Sequence, residues 1–109
     1  MHGWALLLIA IGFEVVGTTF MKLSGGFERP GPSFALFVCY GVSFAALTLA
    51  LKEIDVGVAY AIWSGLGTAA IAAIGVLVFG EALTAARVFW IGVIVLGVAG
   101  LQLSSKAPL

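Results

Sequence analysis

Trp4-Ala-Leu-Leu-Leu-Ile-Ala-Ile-Gly-Phe-Glu14-Val-Val-Gly-Thr-Thr-Phe-Met-Lys22 is the stretch on which the fold turns. Its roughly nineteen residues suffice for one helix across a hydrocarbon core of ~30 Å. Glu14 falls near the middle of that span. An acidic side chain at a helix centre costs ~2.5–3.5 kcal/mol on insertion scales. A short, apolar chain has little reason to hold such a group without a use for it. The default reading is an ion, proton or substrate site.

The surrounding composition agrees with a membrane setting. The chain has 109 residues, room for one domain, and is 62% hydrophobic and 9% charged. Soluble domains carry ~25% charged residues, so a soluble globule is excluded and an integral membrane protein remains. Formal net charge is zero and there is no basic run, so no nucleic-acid partner is expected. The single cysteine, Cys39, lies in an apolar run, and a buried inert thiol is its simplest role. It provides neither a disulfide framework nor a zinc pattern, and no cofactor or metal is expected. No Lys or Arg precedes the first apolar stretch and Glu14 interrupts it, so it reads as a retained span rather than a secretory signal.

All five basic residues, and four of the five acids, fall at breaks between apolar runs. These breaks predict helices at about 4–22, 33–51, 56–79 and 86–103 within one domain covering 1–109. Ser24 to Pro32 forms a turn-rich loop. Ser33 is a candidate N-cap for the second helix and Asp55 for the third. Gly80-Glu81-Ala-Leu-Thr84 makes the last turn, and Ser104 to Leu109 a short polar tail. The runs are too long and continuous for the alternating segments of a membrane barrel. The fold class is therefore all-α, an up-down-up-down four-helix bundle in the membrane.

Orientation follows the loop bias of Lys and Arg. One side holds Lys52 and Lys106, the other Lys22, Arg29 and Arg87, and a free terminal amine would erase the difference. Either a subtle bias elsewhere selects one topology, or the chain inserts both ways and pairs with an oppositely oriented partner. Two such copies would mimic the inverted repeats of larger transporters.

Helical spacing places Leu7, Ala10, Ile11, Gly17 and Thr18 on the Glu14 face. Small side chains at Ala10 and Gly17 leave room beside the carboxylate, and Thr18 is one turn away, within reach to donate to it. Tyr60, Trp63 and Ser64 share a stripe on the third helix. Aromatic faces attract desolvated cations by ~2 kcal/mol or more; the competing role is that of interfacial belt residues, which suits Trp4 better. Tyr40 and Phe44 either extend the aromatic lining or simply pack. Gly65 and Gly67 are either a hinge or a close-packing site. Gly92, Gly97 and Gly100 supply a small-residue face for association or for packing within the chain.

A lone carboxylate of this kind tolerates the membrane when protonated and calls for a cation when charged. Proton and organic cation then compete for one site, which is the basis of antiport. Four helices are too few to enclose a pathway gated on both sides, whereas a dimer supplies eight. Two facing Glu14 carboxylates would titrate as a pair. No catalytic residue is expected: the spans hold no nucleophile–base pair, and Gly25-Gly26 is only a turn.

Glu14-Val-Val-Gly17-Thr18-Thr-Phe-Met-Lys22, the Pro32-Ser33 loop end and Gly57-Val-Ala-Tyr60-Ala-Ile-Trp63-Ser-Gly65-Leu-Gly67 resemble the small multidrug resistance family, in its quaternary-ammonium branch, over essentially the whole chain. The resemblance implies a proton-coupled exporter of hydrophobic, aromatic and quaternary-ammonium cations, working as an asymmetric antiparallel homodimer in the bacterial inner membrane. It further implies that Glu14 binds both proton and substrate. Leu7, Ala10, Ile11, Gly17, Thr18, Tyr40, Phe44, Tyr60 and Trp63 would line the site, with Ser64 beside them. Gly65 and Gly67 would permit a kink, and Gly92, Gly97 and Val98 would lie in the dimer contact. Guanidinium exporters of the same family carry Trp three residues after the essential acid, where this chain has Gly17. Against this, Phe79-Gly-Glu81-Ala-Leu-Thr84-Ala-Ala-Arg87 resembles the guanidinium branch. Guanidinium or small polar-cation export is the alternative on the same fold. A non-transporting membrane partner subunit is the alternative of another class, and would work without Glu14.

Overall fold

The computed structural model describes residues 2–105, so Lys106 and the rest of the tail lie outside it. It contains four helices: α1 (His2–Leu23), α2 (Pro30–Ala50), α3 (Val56–Leu77) and α4 (Ala85–Ser105). No strand occurs among the described residues. All four are long and apolar enough to cross a membrane. At 1.5 Å per residue each covers ~30 Å, matching the hydrocarbon thickness. The protein is an all-α, multi-pass membrane protein.

The chain divides into two compact units, Met1–Ile54 and Asp55–Leu109. In the first, α1 and α2 pack as an antiparallel hairpin. Contacts run in opposite senses along the two helices: Gly3 meets Glu53, Ala10 meets Ser43, and Gly17 meets Cys39 and Tyr40. The buried stripe of α1 is Gly3, Leu7, Ala10, Ile11, Val15 and Gly17; that of α2 is Leu36, Cys39, Ser43, Ala46 and Ala50. Steps of three and four mark one face of each helix. Many of these residues are small, which lets the backbones approach in a setting where lipid is as apolar as leucine. Cys39 is a free, buried thiol within this seam.

The connection between α1 and α2 is built on Ser24, which is only 1% exposed. Its hydroxyl donates to the Met21 carbonyl at 2.8 Å and accepts the Phe27 N–H at 3.2 Å. Gly25, Gly26 and Phe27 all have left-handed backbone, with φ of 58°, 72° and 71°. Phe27, which lacks the freedom of glycine there, stacks on Phe37 at 6.0 Å between centroids.

All four helix starts depart from the sequence expectation or refine it, α1 beginning at His2 rather than residue 4. Helix α2 begins at Pro30, not Ser33, because proline has no N–H to satisfy and its φ is already helical. Arg29 takes the N-cap position, and the Ser33 hydroxyl donates back to the Arg29 carbonyl at 2.6 Å rather than capping. Asp55 does occupy the N-cap of α3 but makes no side-chain cap bond. Helix α4 starts at Ala85 because Thr84 caps it, its hydroxyl accepting the Arg87 N–H at 3.1 Å.

In the second unit α3 runs unbroken through Gly65 and Gly67. A Cβ on Gly65 would lie 2.5 Å from Val98 Cγ2, so Val98 of α4 packs onto bare backbone there. Helix α3 closes on Gly80, whose φ of 67° lets the Glu81 N–H reach back to the Gly75 carbonyl at 2.9 Å. That closure ends the regular helix at Leu77, short of the expected residue 79. None of the membrane-spanning window of α4 is buried within the chain.

Candidate functional site

Glu14 sits near the middle of α1 and is half-buried. The Thr18 hydroxyl, one turn on, donates to Glu14 Oε1 at 3.1 Å. From α2, the Tyr40 hydroxyl lies 2.7 Å from Thr18 Oγ1. A threonine hydroxyl has a single proton. With that proton directed at the carboxylate, the Tyr40 phenol is the donor to Thr18, and Tyr40, Thr18 and Glu14 form a continuous chain of hydrogen bonds. The Tyr40 ring is itself tilted against Phe44, with centroids 6.0 Å apart.

This chain exists because of how closely the helices approach. A Cβ placed on Gly17 would lie 2.6 Å from Cδ1 and Cε1 of Tyr40 and 3.2 Å from Cβ of Cys39. The volume that glycine leaves beside Glu14 is thus occupied by the Tyr40 ring rather than left open. One turn earlier, Ser43 on α2 donates to the Ala10 carbonyl at 2.7 Å. Ala10 and Ser43 are both 0% exposed. In the helical ladder the Ala10 carbonyl also receives the N–H of Glu14. Ser43 therefore ties α2 to the turn of α1 that carries the acid.

The remaining predicted residues divide between the units. Leu7 and Ile11 share the stripe of Ala10 and Gly17, covered to 0% and 6% exposure, behind the carboxylate. Phe44 is exposed on α2. Tyr60, Trp63 and Ser64 belong to the second unit; Tyr60 and Ser64 are exposed and Trp63 is half-buried. Gly65 and Gly67 are buried in α3. On α4, Gly92 and Gly97 face open space while Val98 covers Gly65.

The electrostatic setting of the first unit is simple. Helix α2 contains no charged residue from Pro30 to Ala50. What α2 brings to Glu14 is a hydroxyl chain, not a counter-charge. Among the described residues no group of three or more His, Cys, Asp or Glu is placed to hold a metal ion.

Two contacts were not apparent in the sequence. Ser43 is a polar residue in an apolar run, and its position three after Tyr40 puts it one turn further along the same face. Glu53 lies in the turn between α2 and α3, and its Oε1 accepts the Gly3 N–H at 3.3 Å, satisfying an orphan donor in the first turn of α1.

Residues 2–94 match the family model described as Small Multidrug Resistance protein. The quaternary ammonium compound-resistance protein QacE of Escherichia coli is 49% identical over 107 residues, spanning 98% of this chain and 97% of that protein. A multidrug transporter of Pseudomonas aeruginosa is 40% identical over 107 residues, with 98% and 97% covered. The nicotine metabolites export pump subunit NepB of Paenarthrobacter nicotinovorans is 41% identical over 105 residues, 96% of this chain and 63% of that protein.

Proposed function

This chain belongs to the Small Multidrug Resistance family, and we propose that it exports hydrophobic, aromatic or quaternary-ammonium cations in exchange for protons, the two competing for Glu14. The setting is the bacterial inner membrane, which the four spans and the bacterial relatives support. The observation that carries the reading is the mid-span carboxylate of Glu14, held by Thr18 and Tyr40 with no charged residue on α2 to neutralise it. The printed names of relatives concern quaternary ammonium compounds and multidrug transport, and they support the substrate class.

In this mechanism a charged Glu14 attracts the cation, and the aromatic faces of Tyr40 and Phe44 add attraction where water is excluded. Leu7, Ala10 and Ile11 form the apolar wall behind the acid. A proton arriving at Glu14 removes the charge and releases the cation. Inward protons thus drive outward cations, and the membrane potential adds ~2.3 kcal/mol per net charge per 100 mV. The whole chain serves as one transporter module, and two copies in opposite orientation supply two Glu14 residues and eight helices. Gly92 and Gly97 on the exposed face of α4 are the contact between them, with the half-buried Val98 at its edge, and Gly65 with Gly67 provides the bend as access alternates.

Reconstitution in liposomes tests this. Tetraphenylphosphonium is expected to evoke a proton-coupled current in the wild type, falling to background in Glu14→Gln. Current with guanidinium alone would transfer the chain to the small polar-cation reading. Absence of both, in folded dimeric protein, would leave the non-transporting partner subunit.

A further inference from the structure

Gly17 does more than spare room for a substrate. Because a Cβ there would meet two Tyr40 ring carbons at 2.6 Å, the ring lies directly over the backbone of α1. From that seat the phenol reaches Thr18 Oγ1 at 2.7 Å, one residue along from Gly17. Neither ring carbon is a flexible chain end. The aromatic ring can yield only by moving as a whole, and its hydroxyl would move with it.

We propose that Gly17 is a positioning residue that acts through Tyr40: by lacking a side chain it seats the phenol on Thr18, and so sets how strongly the ionised Glu14 is held against the proton. This rests on Glu14 being the shared site of proton and cation. When Glu14 is charged, the Tyr40 O–H donates to Thr18 and the Thr18 O–H donates to Glu14, and each bond polarises the next. When a proton binds Glu14, the carboxylic O–H donates to Thr18. The Thr18 O–H then turns to the Tyr40 oxygen, and the Tyr40 O–H is freed to point elsewhere. No bond breaks in either side chain; only the direction of donation reverses. The titratable groups of α2 that face this part of α1 are the Tyr40 phenol and the Cys39 thiol, and α2 has no charged residue. On α1 the nearest other charged group is Lys22, two turns beyond Glu14.

The test is tetraphenylphosphonium binding to purified wild type, Gly17→Ala, Tyr40→Phe, Tyr40→Leu and Gly17→Ala/Tyr40→Leu, at neutral and at alkaline pH. Loss of the phenol's support weakens the ionised acid's hold, so the proton competes better. Gly17→Ala and Tyr40→Phe are each expected to bind ~3- to 10-fold more weakly at neutral pH, the range of a single membrane hydrogen bond. Both recover most of that loss at alkaline pH, where the proton no longer competes. Leucine at position 40 removes the ring that the new Cβ would strike, so adding Gly17→Ala to Tyr40→Leu costs far less than in the wild type, only what the 3.2 Å approach to Cys39 Cβ imposes. An equal loss from Gly17→Ala in both backgrounds, or a loss independent of pH, would overturn the proposal and leave Gly17 as a helix-spacing residue near Cys39. If Gly17→Ala does not fold, folding of the double variant with the affinity of Tyr40→Leu supports the proposal, and its failure to fold counts against it. Wild type that binds no tetraphenylphosphonium at either pH would instead refute the shared-site reading beneath it.

Discussion

Ser43 shows how much a single hydroxyl settles in this hairpin. It is fully buried, and its bond to the Ala10 carbonyl crosses between helices one turn from Glu14. Interhelical hydrogen bonds in membranes average about 0.6 kcal/mol and reach about 1.7 kcal/mol. Ser43→Ala is expected to destabilise the protein within that range, measured by denaturant unfolding in detergent micelles. A loss near zero would mean that the Ala10 carbonyl is satisfied by the helix ladder alone. Thr18 is the opposite case for legibility. Its bond to Glu14 is an i, i+4 relation within one helix, so the spacing was enough to predict it.

Helix ends in this chain are set by local chemistry that is partly visible in the residues. Gly80 at φ 67° closes α3, and any L-side chain there occupies a left-handed region that costs about 1–2 kcal/mol. Gly80→Ala is therefore expected to lower stability by about 1 kcal/mol, with faster hydrogen exchange at the amides of Val78, Phe79 and Glu81. Thr84→Ala should cost about 1 kcal/mol through loss of the α4 cap, seen as deprotection of the Arg87 amide. The start of α2 illustrates the limit of pattern reading. Ser33 has the right residue type for a cap, but Pro30 begins the helix earlier and turns the serine into a first-turn residue. Helix α3 passes straight through Gly65 and Gly67, where Val98 covers the bare backbone of Gly65. Packing explains that glycine in this conformation.

For the protein in its membrane, the near-balance of Lys and Arg between the two sides is the governing number. The proposed dimer needs copies in both orientations. Paired substitutions that load one side should force a single orientation: Glu28→Lys with Ala82→Lys on one side, Asp55→Lys with Ser104→Lys on the other. Each pair alone is expected to abolish tetraphenylphosphonium efflux, and co-expression of the two is expected to restore it, with orientation read by labelling of single exposed cysteines. Efflux from either pair alone would show that one orientation suffices. The exposed α4 fits the same picture: apart from the side that seats Val98 on Gly65, its surface is free for lipid or for a second copy.

Four spans, an all-α fold and a charged group in mid-span followed from the residues alone. The length of an apolar run and the cost of a charge in hydrocarbon are local quantities, fixed before any packing occurs. Family membership was likewise carried by short contiguous motifs around Glu14 and Tyr60. What only the folded hairpin decided was the register of α2 on α1. Both helices are apolar nearly all round, so their periodicity does not single out the face that meets the partner. That register places the Tyr40 ring over Gly17, its hydroxyl on Thr18, and Ser43 on the Ala10 carbonyl. Those contacts depend on how closely two backbones approach, which is a property of packing between helices and of neither helix on its own.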